Sequence, residues 1–297
     1  MIINKASLSA LFVGIKTAFN KGLKDTKTYW ARVATVVPST TSAEKYTWLG
    51  QFPRFREWLG DRQIKNLAAH DYTIKNKKFE SSVAIPRDDL DDDTFGVFNP
   101  LYEEMGYAAS THPDELVFTL LGKGFSELCY DGQNFFDTDH PVGNEENGIS
   151  SVSNMQAGGL AAWFLLDVNR PLKPLIFQRR RDYAIKAMTK DDDENVFMRD
   201  EYRYGVDARV NAGFGLWQLA FGSQLALDET NFTAARTAME SLKSDEGRSL
   251  NVMPNLLVCG PSNRSAAEAL IKVRNLAGGG DNPLYNAVEI LVVSWLD

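Results

Sequence analysis

Between residues 202 and 211 apolar and polar positions alternate without interruption. Tyr202, Tyr204, Val206, Ala208 and Val210 fall on one face of an extended chain, and Arg203, Asp207, Arg209 and Asn211 on the other. The pattern predicts a long strand with one dry face. Its glycine-rich continuation, through Gly213, Gly215 and Gly222, predicts a bend or a close backbone contact. Near the amino end the period changes. Leu8, Leu11, Phe12, Ile15, Phe19 and Leu23 recur at helical spacing, opposite Lys5, Ser9, Lys16, Asn20 and Lys24, with Asn4 available as a cap. Residues 29–58 are rich in Thr, Ser and aromatics and are broken by Pro38 and Pro53, so they read as an arm with short strands. Over 62–85, short alternating runs flank the turn Asn76-Lys77-Lys78 and predict a charged hairpin. Such a hairpin has too few apolar residues to bury both faces. It must project into solvent or complete itself against another chain.

Acidic residues at 88–93 open a predicted helix running towards His112, with Pro100 interrupting it; a second helix starts at Pro113 and ends near Gly124. Residues 130–156 form a polar loop region around the Phe135-Phe136 pair. Strand patterns dominate 160–209, with 191–194 as a solvated turn. Helical spacing returns over 232–242. A buried strand at 255–259 leads into a helix capped by Ser262, and a strand at 288–293 closes the chain. Strands and helices intersperse without a regular βαβ repeat, which favours an α+β fold over a doubly wound sheet.

The composition, 44% hydrophobic and 24% charged over 297 residues, is that of a folding chain with about two domains or one elaborated subunit with arms. A formal charge of −7 argues against a general nucleic-acid binder, which needs clustered Lys and Arg. The dense basic run is Gln178-Arg-Arg-Arg181, better spent pairing with acidic neighbours at a strand end than on phosphate. Cys129 and Cys259 stand far apart in apolar contexts and read as buried small hydrophobes. No apolar run reaches the roughly 18 residues of a membrane-spanning helix.

Asp137-Thr-Asp139-His140 offers two carboxylates and an imidazole to a metal, but a loop Asp-x-Asp more often serves turn hydrogen bonds, and no metal is expected. Calcium-loop spacing fails from either start: Thr94 and Pro100, or Phe95 and Tyr102, occupy positions that need Gly or a carboxylate. Cys259-Gly-Pro-Ser262 lacks the second Gly of a nucleophile elbow, and neither Gly278-Gly-Gly280 nor Gly213-Phe-Gly215 completes a phosphate loop. No catalytic residue and no cofactor is predicted.

Three longer stretches carry more information: Tyr130-Asp-Gly-Gln-Asn-Phe-Phe-Asp-Thr-Asp-His-Pro141, residues 167–178 ending Arg170-Pro-Leu-Lys-Pro-Leu-Ile-Phe-Gln178, and residues 204–223. Their wording resembles the major head (capsid) subunit family of Mu-like tailed bacteriophages. The resemblance runs from about Tyr72 to the end, with weaker echoes at 248–262 and 282–293. It implies the HK97-like capsid fold, an α+β architecture with an N-terminal arm (1–45), an E-loop region (46–87), a peripheral domain with a spine helix (88–127 and 175–225) and an axial domain (128–174 and 226–297). It also implies a structural, non-enzymatic subunit of an icosahedral head around double-stranded DNA. The implied partners are copies of itself in hexamers and pentamers, scaffolding protein, head protease and portal, a decoration protein, and DNA held by weak non-specific contact. A cargo-enclosing shell of the same fold and a metal-assisted hydrolase using Asp137, Asp139 and His140 are the alternatives. With catalysis set aside, the charged positions Arg62, Lys65, Lys77, Lys78, Glu80, Arg203, Asp207 and Arg209 become candidate intersubunit contacts.

Overall fold

Two antiparallel strands of fourteen residues each organise half of the molecule, and a short sheet of fully buried strands organises the other half. A computed structural model describes residues 5–50, 52, 72–92, 97–144, 148–276 and 278–297. In chain order the first elements are helix α1 (Lys5–Asp25), the single turn α2 (Trp30–Val33), and strands β1 (Ala34–Pro38), β2 (Ala43–Lys45), β3 (Thr73–Lys75) and β4 (Lys77–Pro86). Helices α3 (Arg87–Asp91) and α4 (Asn99–Gly122) follow. Then come β5 (His140–Asn144), β6 (Gly148–Val152), β7 (Met155–Gln156), β8 (Trp163–Leu166), β9 (Leu175–Met188), α5 (Glu194–Arg199) and β10 (Glu201–Phe214). The chain closes with β11 (Ala220–Ser223), α6 (Glu229–Glu240), β12 (Leu256–Cys259), α7 (Arg264–Lys272) and β13 (Glu289–Val292).

The first sheet runs β1-β9-β10-β4, the second β13-β12-β8-β11-β7. Every residue of β8 and β12 is buried, because each of these strands is apolar on both faces and lies inside its sheet. They anchor a large core with Trp217, Phe136, Phe177 and Phe232. The far end of the first sheet is built differently. Tyr202, Tyr204 and Val206 of β10 pack with Ile85 of β4 beneath Ile15 and Phe19 of α1 and Tyr102 and Met105 of α4, forming a second, smaller cluster.

Helices α1 and α4 meet backbone to backbone. A side-chain carbon on Gly106 would lie 2.1 Å from the Phe19 carbonyl oxygen, and one on Gly22 would lie 2.0 Å from that of Glu103. Only glycine permits this approach. The amphipathic helix expected at 8–23 is therefore present, docked on its own chain by its apolar face.

Three expectations need correction. The hairpin about Asn76 does not form: β3 pairs with β2, whereas β4 runs antiparallel along β10 from Glu201 opposite Pro86 to Val210 opposite Lys77. Asn76, meant for an exposed turn, is buried and donates to Ser39 Oγ (2.8 Å) and the Thr41 carbonyl (2.9 Å). The charged strand completes itself against its own chain. Secondly, the two helices expected across 88–124 are a five-residue α3 and one continuous α4. Pro100 occupies the first turn of α4, where its missing N–H costs nothing, and Pro113 lies inside the helix. An internal proline costs about 3 kcal/mol. Burial of Ala109, Val117, Phe118 and Leu121 on either side outweighs it. Thirdly, Ser262 caps no helix; its N–H and hydroxyl donate to the Asp297 carboxylate at 2.7 and 2.6 Å.

Candidate subunit-contact face

Alternation along β10 hands its odd-numbered residues to the outer face of the first sheet, and register then decides their neighbours. Asp207 stands opposite Glu80 of β4, and Arg209 stands opposite Lys78 of β4 and Arg181 of β9. Like charges directly across a sheet repel. The outer face thus carries an acidic row beside a basic row, an arrangement that internal pairing satisfies only in part. Asp207 accepts from Lys186 at 2.7 Å and from Arg181. The Lys186 hydrogen bond, with the Arg181 charge and against the cost of burial, holds the Asp207 carboxyl below the usual carboxylate range. Arg203 turns back onto Glu201 of its own strand.

A bulge in the pairing of β9 with β10 lies between Asp207 and Val210. It bends the sheet where the acidic row gives way to the basic one. Towards the other end, Gly205, Ser82 and Ala84 leave a shallow trough of about 520 Å³, bounded by Glu80, Lys186, Met188 and Arg203. Beyond it, at the tip of the β9–β10 ribbon, Phe197 and Met198 of α5 are 81% and 70% exposed. Large side chains this open on a short helix are surplus to the core.

Of the eight predicted contact residues, Lys78, Glu80, Arg203, Asp207 and Arg209 come together on this face. Lys77 faces the opposite side, across from Val210, but is exposed at the strand end. Arg62 and Lys65 lie outside the described residues. The exposed Phe197 and Met198 were missed, although two large apolar residues beside the acidic turn at 191–194 were a readable signal.

The catalytic look-alike dissolves into a turn and a buried cluster. Asp137 accepts N–H bonds from Thr138 (2.7 Å) and Asn134 (3.1 Å). Burial opposes its charge, but these donors hold it below the usual range. His140 leaves both of its sequence neighbours and pairs instead with Asp131 at 2.7 Å, stacked on Trp217. Cys129 joins the same carboxylate at 3.0 Å, and burial, then the Asp131 charge, push its thiol far above the ordinary range.

Comparison with known proteins decides what this scaffold is. The family model for the Mu-like prophage major head subunit gpT matches residues 8–296. The chain belongs to the Mu-like major head subunit family. It is 44% identical to the Mu-like prophage FluMu major head subunit of Haemophilus influenzae, over 89% of this chain and 88% of that one. It is 39% identical to the major capsid protein of Escherichia phage Mu over the whole of both chains. Among solved structures, it is similar to the procapsid chain of bacteriophage JBD30, with 50% identity, coverage of 99% and 100%, and a TM-score of 0.90. The chain of the JBD30 capsid matches over the whole of both chains at 39% identity, with a TM-score of 0.79. The head subunit is a structural protein with the HK97-like capsid fold. In this head subunit no described helix is long and apolar enough to cross a membrane.

Proposed function

We propose that this chain is the major capsid protein of a Mu-like tailed phage or prophage, self-assembling in hexamers and pentamers into an icosahedral head that encloses double-stranded DNA. The observation that carries this is the whole-chain similarity to the JBD30 procapsid chain at a TM-score of 0.90, which spans both sheets and α4 together. In this reading α1 and the segment to about residue 45 are the N-terminal arm and 46–87 the E-loop region. The peripheral domain is α4, as spine helix, with the β1-β9-β10-β4 sheet, and the axial domain is the second sheet with α6 and α7. Strand β1, from within the arm, and β4, from the end of the E-loop region, then join the peripheral sheet, and β11 the axial one, a shift from the boundaries expected on sequence.

Charged rows on the outer sheet face would pair with a neighbouring copy, Glu80 and Asp207 against its Lys78, Arg181 and Arg209. Scaffolding protein, a head protease and a portal are the partners that assembly of such a head requires. One JBD30 capsid is decorated with minor capsid protein trimers, and an equivalent decoration protein suits the exposed tip at Phe197 and Met198. The net charge of −7 fits DNA held by confinement and weak contact. Expression of the chain with a scaffolding partner, followed by sedimentation and electron microscopy, tests the reading. Closed shells of uniform size are expected, and a chain that stays monomeric under all conditions would overturn it. Shells that enclose a specific protein and exclude DNA would favour the cargo compartment instead.

A further inference from the structure

A polar cluster that shell building does not use lies between the end of α4 and β5. Among the described residues, the Cys129 thiol sulfur, an Asp131 carboxylate oxygen and a His140 ring nitrogen all fall within 4.8 Å of one another. Cys129 and His140 are buried, and the Asp131 side chain is 6% exposed. Asn154 fixes the protonation pattern. Its Nδ2 donates to the carbonyls of Phe135 (2.8 Å) and Ala220 (3.3 Å), and its Oδ1 accepts the Asp137 N–H at 2.9 Å. The same Oδ1 faces His140 Nε2 at 3.1 Å, so Nε2 carries a hydrogen.

In the neutral ring Nδ1 is then a lone pair, and it points at Asp131 Oδ2 across 2.7 Å. Two acceptors at this distance need a hydrogen or a metal ion between them. A proton would serve His140 and Asp131 alone. Without a metal the Cys129 thiol donates to the other oxygen of the same carboxylate at 3.0 Å, whereas a metal ion would take that sulfur as its third ligand.

We propose that Cys129, Asp131 and His140 form a divalent transition-metal site, with zinc the best fit. Thiolate, imidazole and carboxylate together are a zinc donor set, and water would complete a tetrahedron. Bonds of about 2.0–2.3 Å place tetrahedral ligands about 3.3–3.6 Å apart, so the Nδ1 to carboxylate gap opens by about 0.6 Å on binding. The Nε2–H bond to Asn154 is the outer support that a metal-bound histidine needs. Trp217, stacked at 4.0 Å and 11° from parallel, stops the ring from turning. Binding replaces the S–H bond by an S–Zn bond and the hydrogen between Nδ1 and Asp131 by bonds to zinc, releasing both protons to solvent, so no oxidant or reductant is involved. The bound ion would pin the loop after α4 to β5, independently of how the subunits assemble.

The test is to purify the full chain without chelator, measure its metal content by plasma mass spectrometry, and titrate the metal-free chain with Co²⁺. Stoichiometric zinc is expected, together with a thiolate-to-cobalt charge-transfer band and a melting temperature that rises on adding zinc. Cys129→Ser keeps a hydrogen-bond donor towards Asp131, so it should fold, lose the charge-transfer band and bind at least about tenfold more weakly. If that variant does not fold, Asp131→Asn should show the weaker binding. A wild-type chain that takes up neither zinc nor cobalt overturns the site, as does a charge-transfer band that survives in Cys129→Ser.

Discussion

The two apolar clusters of this subunit are built on opposite plans. In the larger one, β8 and β12 are buried residue by residue, Trp163, Phe164, Leu257 and Val258 among them. In the smaller one every long strand is buried on a single face, and α1 and α4 form its lid. The first region therefore holds itself together. The second has an outer face left over, and that face carries partly paired charge rows and an apolar tip. With that face as the proposed contact surface, fold stability and contact chemistry rest on different residues and can vary separately.

Substitutions can break that comparison. Phe164→Ala, in the self-sufficient core, should cost about 3–5 kcal/mol. It is expected to remove most soluble, folded chain, as read by yield and circular dichroism. Gly106→Val attacks the lid of the smaller cluster, where the added carbon meets the Phe19 carbonyl at 2.1 Å. Overpacking of this kind costs about 1–3 kcal/mol. It should free α1 to limited proteolysis while the second sheet stays protected. Equal loss of protection in both regions would show that the clusters are one cooperative unit.

Much of the self-sufficient region was legible, because apolar runs such as Trp163-Phe-Leu-Leu166 have few alternatives to burial. The two-faced strand β10 and the amphipathic α1 were legible for the same reason: their periods are unambiguous. Pairing was not. The alternation in β4 fits any antiparallel partner, and its actual partner lies more than a hundred residues away, so a local hairpin was the natural and wrong choice. Pro113 looked like a helix start because the burial that tolerates it inside α4 is tertiary. The approach of His140 to Cys129 and Asp131 was hidden for want of a spacing rule, since a loop fold brings them together.

A smaller effect sharpens the boundary between the charged surface and the structural turns. Glu44 accepts N–H bonds from Thr40 (2.9 Å) and Thr41 (3.0 Å) and a hydroxyl bond from Ser39, which together hold its carboxyl down at about 2. The folded value lies below the ordinary one, so the stabilising contribution is complete above about pH 4.5 and fades as pH falls towards 2. Glu44→Gln should remove that contribution at neutral pH and flatten that part of the acid-unfolding curve, so that the two chains converge in stability as pH falls towards 2. A wild-type curve unaltered by the substitution would remove Glu44 from the acid response.

Glu80→Lys tests the division of labour most directly. Within the chain it places a cation opposite Asp207 and relieves a like-charge pair. On the surface it inverts one charge of the acidic row. Thermal melting of the unassembled subunit and sedimentation of assembly reactions should be measured side by side. A melting temperature equal to or above that of the unsubstituted chain is expected, together with a marked loss of closed shells. Shells formed at full yield by a normally folded Glu80→Lys subunit would contradict that division.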